Sequence, residues 1–147
     1  MKLNLYAIFA GAAADMFGTL MVTIIIGTVA SGILLSRGVP EAELGARLAR
    51  DTTMLLWSVV AGLAASATGG FVAARIARFR ELTHAASAGG VGLVLSTVSA
   101  VLTPTTMPTW YVVTGYGLVV PAAALGGWLG KLWNDRTAAS GPPESPT

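Results

Sequence analysis

Four long apolar runs, at residues 5–35, 52–74, 85–102 and 110–132, constrain this chain more than any other feature. A hydrocarbon core of about 30 Å takes about 20 apolar residues in a helix, and only helices or closed barrels satisfy their backbone groups in lipid. The pattern predicts an all-α membrane protein, a bundle of four transmembrane helices. Composition agrees, with 54% hydrophobic and 11% charged residues against roughly 25% charged in soluble domains. The first run is longer than a crossing needs, so it must tilt, kink or extend into the headgroups. The third is barely long enough.

Lys2, the apolar residues 3–10 and the small Ala12, Ala13 and Ala14 before Asp15 have the look of a cleavable signal. Apolar sequence continues to Leu35, which fits an uncleaved first span. One transmembrane domain is expected over residues 1–133. Residues 134–147, with Pro142, Pro143 and Pro146 and little apolar material, are expected to be a disordered tail.

Orientation follows from the Lys and Arg retained on the cytoplasmic side. Lys2, Arg75, Arg78, Arg80, Lys131 and Arg136 fall on one side of the four spans. Arg37, Arg47 and Arg50, offset by Glu41, Glu43 and Asp51, fall on the other, and the connection over residues 103–109 is uncharged. Both termini are therefore expected in the cytoplasm, in a multi-pass protein of the cell membrane. Trp57, Trp110, Trp128 and Trp133 stand near span ends, where an apolar ring with a polar N–H anchors at the interface. In the first connection, Pro40 suits a helix start, Leu44 and Leu48 form a short stripe, and Glu43 and Arg47 are spaced to pair. Residues 40–50 are read as a short amphipathic helix on the outer surface.

Lipid tails are as apolar as leucine, so spans associate through close packing, which small residues permit. Gly62, Ser66, Gly70 and Ala74 recur in the second span, Ala88, Gly92, Ser96 and Ala100 in the third, Ala122, Gly126 and Gly130 in the fourth, and Ala14 with Gly18 in the first. Gly18, Gly62, Gly70, Gly92, Gly126 and Gly130 are the expected packing residues. Gly126 with Gly130 serves either inside the subunit or between subunits. The second and fourth spans also end alike: Gly69, Gly70, Phe71 and Arg75 match Gly126, Gly127, Trp128 and Lys131. A duplicated hairpin and convergent anchoring of helix ends both account for this.

Asp15 is the ionisable residue inside an apolar run, a functional candidate because its charge is costly there. Unless a cation lies close, desolvation favours the neutral acid, the kind of group a proton-coupled step needs. Arg75 and His84 are the candidate partners of an intramembrane proton or ion site, His84 by shuttling protons from the cytoplasmic edge. The competing reading pairs Asp15 with Arg75, His84 or a neighbouring Ser or Thr for structure alone, with His84 an interfacial helix-start residue.

Around Asp15, the run Ala14, Asp15, Met16, Phe17, Gly18 and Thr19 resembles the first span of the small multidrug resistance transporters, which have four helices and one embedded acid there. Gly90, Val91 and Gly92 are similar to their third span. The long first connection, the charges from Arg75 to Glu81 and a third span without an aromatic depart from that pattern. Over the full length the chain is similar to a group of uncharacterised bacterial four-span integral membrane proteins, of the inner membrane. This rests on Asp15 with Gly18, residues 69–78, His84, Pro108 with Trp110, Pro121, and Gly126 with Gly127. That resemblance implies the topology and no activity.

Other motifs fail on context. Val113, Thr114, Gly115, Tyr116 and Gly117 look like a potassium-channel filter, but Pro104 and Pro108 stand where a pore helix belongs. Gly89, Gly90 and Gly92 lack the Lys and the preceding strand of a phosphate loop. With no Cys and a single His, neither a metal site nor a cofactor is expected, and without a nucleophile beside a base an enzyme is the least expected class. Two classes remain, a structural or accessory packing subunit and a small proton-coupled transporter or permease using Asp15. Expected partners are membrane lipid and a second copy or a larger membrane complex, and not nucleic acid.

Overall fold

A computed structural model describes residues 3–102 and 107–139. The chain is all-helical there: α1 (Leu5–Ser36), α2 (Glu41–Leu48), α3 (Thr52–Ala77), α4 (Glu81–Leu102) and α5 (Thr109–Ala139). Four of these, α1, α3, α4 and α5, are long and apolar enough to cross a membrane, and the chain is a multi-pass membrane protein. The third span starts at Glu81 rather than at residue 85, which resolves its apparent shortness.

Local chemistry sets the helix ends. Asn4 caps α1, its Oδ1 accepting from the Ala7 N–H at 3.2 Å, and Asp51 caps α3 through the Met54 N–H at 3.0 Å. Each side chain satisfies a donor that the first helical turn leaves unpaired. α1 stops at Gly38, whose φ of 80° sits in the left-handed region. The Gly38 N–H reaches Leu35 and the Val39 N–H reaches Leu34, the paired closing bonds of a glycine-terminated helix. The turn between α3 and α4 is tighter, and Arg78 and Arg80 take φ of 55° and 46° to make it.

The first connection folds as read: α2 is helical, with Arg47 Nη2 donating to Glu43 Oε2 at 2.9 Å on its exposed side. α5 runs beyond the expected end of its span. Asn134 Nδ2 donates to the Ala74 carbonyl at 3.1 Å and the Thr137 hydroxyl to the Trp133 carbonyl at 3.1 Å. The expectation of a tail from Asn134 is thereby corrected as far as Ala139, because α5 continues to that residue and the Asn134 bond docks its end on α3. Residues 140–147, Lys2 and most of the connection before α5 lie outside the described residues.

α3 packs most extensively, against α5 and α1, and α4 leans on α5, α3 and α1. α1 and α5 stand at opposite corners. Packing is concentrated at the end that holds the start of α1 and the turn from α3 to α4. There the backbones nearly touch. A Cβ on Gly70 would meet the Ala123 backbone, and one on Gly126 the Ala67 backbone, each within 2.6 Å of the carbonyl carbon. One and the same step along the chain converts Gly70 into Gly126 and Ala67 into Ala123, so two parallel helices pack reciprocally. The alike endings of the second and fourth spans thus have a packing cause. α1 and α4 do not share it: Gly11 packs on Gly69 and Ala73, whereas Gly89 packs on Ala123 and Val120.

Towards the α2 end the spans separate. Gly27, Gly32, Gly62, Gly115 and Gly117 have nothing within 4 Å of an added Cβ, and residues 94–102 of α4 are all exposed. Large side chains such as Phe17, Ile25 and Leu125 point outward, the arrangement expected of a bundle whose solvent is hydrocarbon.

Candidate functional site

Asp15 reaches the middle of the bundle because α1 is a straight run of small and apolar residues that puts Gly11, Asp15 and Gly18 on one face. It is 7% exposed. The Ser66 hydroxyl on α3 donates to Oδ1 at 3.0 Å, and the hydroxyl of Thr19, one turn further along α1, donates to the same oxygen at 3.4 Å. The other oxygen lies against α4, with Oδ2 2.8 Å from the place a Cβ on Gly92 would occupy. Gly69 receives the root of the side chain, its absent Cβ 2.8 Å from Asp15 Cβ. One carboxyl therefore joins α1, α3 and α4, through one strong hydrogen bond and two glycine contacts.

His84 is elsewhere. It sits in the first turn of α4, as a helix-start residue should, with 0% exposure. Nε2 accepts from the Asn4 N–H at 2.9 Å, while Nδ1 lies 3.0 Å from the Arg80 carbonyl. A carbonyl can only accept, so Nδ1 is the donor there, and both ring nitrogens are occupied. Phe79 closes the ring edge-on at 4.9 Å. Asn4 precedes Asp15 by about 16 Å along α1, at about 1.5 Å per residue, so His84 and Asp15 occupy different levels of the bundle.

Arg75 faces α5. Nη1 donates to Asn134 Oδ1 at 3.4 Å, and the guanidinium stands 5.5 Å from the Trp133 ring centroid, within the range of a cation–π contact. The expected grouping of Asp15, Arg75 and His84 is corrected: the three residues serve three separate contacts. The Ser of a neighbouring span is the partner that Asp15 has, and among the described residues the Arg47–Glu43 bridge is the ion pair formed.

Of the expected packing glycines, Gly18 meets Ala65, Gly70 meets Ala123, Gly92 meets Asp15, Gly126 meets Ala67 and Gly130 meets Ala74. Gly62 is the exception. It lies on the same stripe as Gly70 but in the part of α3 from which the neighbouring helices have moved away, and open space surrounds it. Gly126 and Gly130 are used inside the subunit. Residues 113–117 are continuous helix within α5, so the carbonyls of residues 113–116 are turned along the helix, that of Gly117 faces Pro121, which has no N–H to give it, and Tyr116 donates to the Ser96 carbonyl at 3.2 Å.

No protein-family model matches the chain, and no curated protein or solved structure matches it. Gly11 and Gly89 were not legible as packing residues, although Gly11 precedes Asp15 by one helical turn and so shares its face. Asn4 carried a visible signal, an Asn immediately before an apolar run. Its second role, as the donor to His84, depends on a contact across 80 positions of the chain.

Proposed function

We propose that the chain is a structural or accessory membrane subunit that acts by packing, and is not an enzyme. The observation that carries this reading is the closure of Asp15. The Ser66 hydroxyl holds one oxygen at 3.0 Å and the α4 backbone at Gly92 abuts the other, so the carboxyl works as a fastening between three helices. An acid that carries protons must instead be able to change partners and meet water from alternate sides. The glycines are likewise committed to internal contacts, which leaves the large outward side chains and the exposed stretch 94–102 for lipid, a second copy or a larger membrane complex. The basic residues Arg75, Arg78, Arg80, Lys131 and Arg136 share one end of the bundle, which favours cytoplasmic termini in a bacterial inner membrane.

A second reading, a small proton-coupled transporter or permease using Asp15, is favoured by one observation: Thr19, which contacts the carboxyl, is itself exposed. Reconstitution separates the two. In proteoliposomes carrying an internal pH dye and an imposed gradient, the wild type and Asp15→Asn are expected to show the same passive leak and the same mass in native detergent. A gradient-driven flux in the wild type, abolished by Asp15→Asn with the fold intact, would replace the packing reading with transport. Cross-linking in membranes is expected to capture either a dimer or a defined partner.

A further inference from the structure

Two crevices lie one above the other at the α2 end of the bundle. The upper, of about 460 Å³, is lined by Glu43, Ala46, Arg47, Arg50 and Asp51. The lower, of about 290 Å³, is lined by Ile25, Ile26, Val29, Ala30, Met54 and Trp57. They adjoin at the start of α3, where Asp51 of the first accepts from the N–H of Met54, which lines the second, at 3.0 Å. At about 1.5 Å per residue, Met54 and Trp57 lie about 4.5 and 9 Å below Asp51 along the axis. A charged recess thus stands next to an apolar furrow at the start of α3.

We infer that this pair of crevices holds one phospholipid with a zwitterionic, primary-ammonium headgroup, its phosphate and ammonium over the upper recess and one acyl chain in the lower furrow. Charge complementarity selects the headgroup. The recess presents two cations, Arg47 and Arg50, and two carboxylates, Glu43 and Asp51. Arg47 already spends Nε and one amino group on a single oxygen of Glu43, and Asp51 uses one oxygen to cap α3, so Arg50, the second amino group of Arg47 and the other oxygens of both acids are what a headgroup meets. A phosphate finds the guanidinium, and an ammonium finds acceptors for its N–H groups. A glycerol headgroup brings the phosphate's negative charge to two carboxylates with no cation of its own, and a choline headgroup has no N–H to donate. Below, no lining residue carries a charge, and the exposed Val29 and Trp57 flank the furrow at 58% and 62% exposure. An acyl chain lying there covers apolar surface that α1 and α3 leave apart. The inference needs only the membrane spans and stands whether or not the packing reading does.

Native mass spectrometry of the delipidated full chain tests it, with phosphatidylethanolamine, phosphatidylglycerol and phosphatidylcholine of identical acyl chains titrated separately. The expected result is one lipid bound per subunit, with ethanolamine retained about tenfold better than either rival, the ratio that about 1.4 kcal/mol produces. Asp51→Asn keeps a competent helix cap and removes one carboxylate. It is expected to bring ethanolamine down to the level of choline while leaving the thermal midpoint unchanged. Arg50→Gln, between the helices and exposed, is expected to weaken all three lipids alike. Equal retention of the three lipids, a preference for glycerol, unchanged selectivity in Asp51→Asn, or a dimer that carries no lipid would each overturn the assignment.

Discussion

Gly126→Ala adds one methyl where the structure has no room for it. The new Cβ would stand 2.6 Å from the carbonyl carbon of Ala67, where ordinary contact begins at 3.4 Å. The obstructing atoms are backbone, so no rotamer change relieves the clash, and α5 must move off α3 by about 1 Å. A radial gap of 0.5–1 Å forfeits about a quarter to a half of each atom-pair attraction, which is roughly 0.15 kcal/mol. Over on the order of 40 atom pairs at this seam, the loss is about 1.5–3 kcal/mol, in the range measured for overpacked cores, about 1–3 kcal/mol. In lipid no hydrophobic gain between helices offsets it, because packing is itself the main source of association. The assay is unfolding by SDS in mixed micelles, followed through the fluorescence of Trp128 and Trp133 on the same helix. Gly70→Ala, which strikes Ala123 in the reciprocal position, is expected to cost the same. The decisive measurement is the double variant. One displacement relieves both clashes, so its cost is expected to stay near that of either single change, a coupling of about −1.5 to −3 kcal/mol where independent sites add to within about 0.5 kcal/mol. Additive costs, or a Gly126→Ala midpoint equal to the wild type, would refute reciprocal packing of α3 and α5.

Gly62→Leu is expected to leave the unfolding midpoint within about 0.5 kcal/mol of wild type, measured in the same assay, since open space receives the side chain. A loss comparable to that of Gly126→Ala would show that α3 has a partner there. Asp15→Leu removes the acceptor of the Ser66 hydroxyl and puts bulk against Gly92, and is expected to cost about 1–3 kcal/mol for the buried unpaired donor alone. Asp15→Asn keeps a carbonyl acceptor and is expected to recover most of that. His84→Phe preserves the ring against Phe79 but strips the Asn4 N–H of its acceptor, and is expected to speed hydrogen exchange of that amide while the exchange of residues around Gly92 is unchanged. Equal protection at Asn4 in both proteins would remove the hydrogen bond from the account.

The spans themselves were readable along the chain because the demand behind them is one-dimensional. Lipid requires a sufficient apolar length with every backbone group paired internally, and composition alone supplies that information. The α2 helix was readable for a similar local reason, with Pro40 at its cap and Glu43 one turn from Arg47. So was the embedded acid, since an Asp inside an apolar run stands out whatever surrounds it.

What the sequence by itself could not determine is which neighbours those residues meet. Gly62 and Gly70 belong to one stripe with one spacing, yet one faces empty space and the other touches a backbone, because the helices converge at one end and part at the other. Helix divergence is a property of several spans at once and leaves no mark on any single one. Asp15, Arg75 and His84 looked like one site because each is unusual in an apolar chain. Their partners, Ser66, Asn134 and Asn4, are ordinary polar residues distant in the chain, and the tertiary fold alone brought each to its place. The sequence determined that the chain crosses a membrane four times. The tertiary structure decided that its buried acid fastens three helices, since a carboxyl's role in a bundle depends on what stands within hydrogen-bond reach of it.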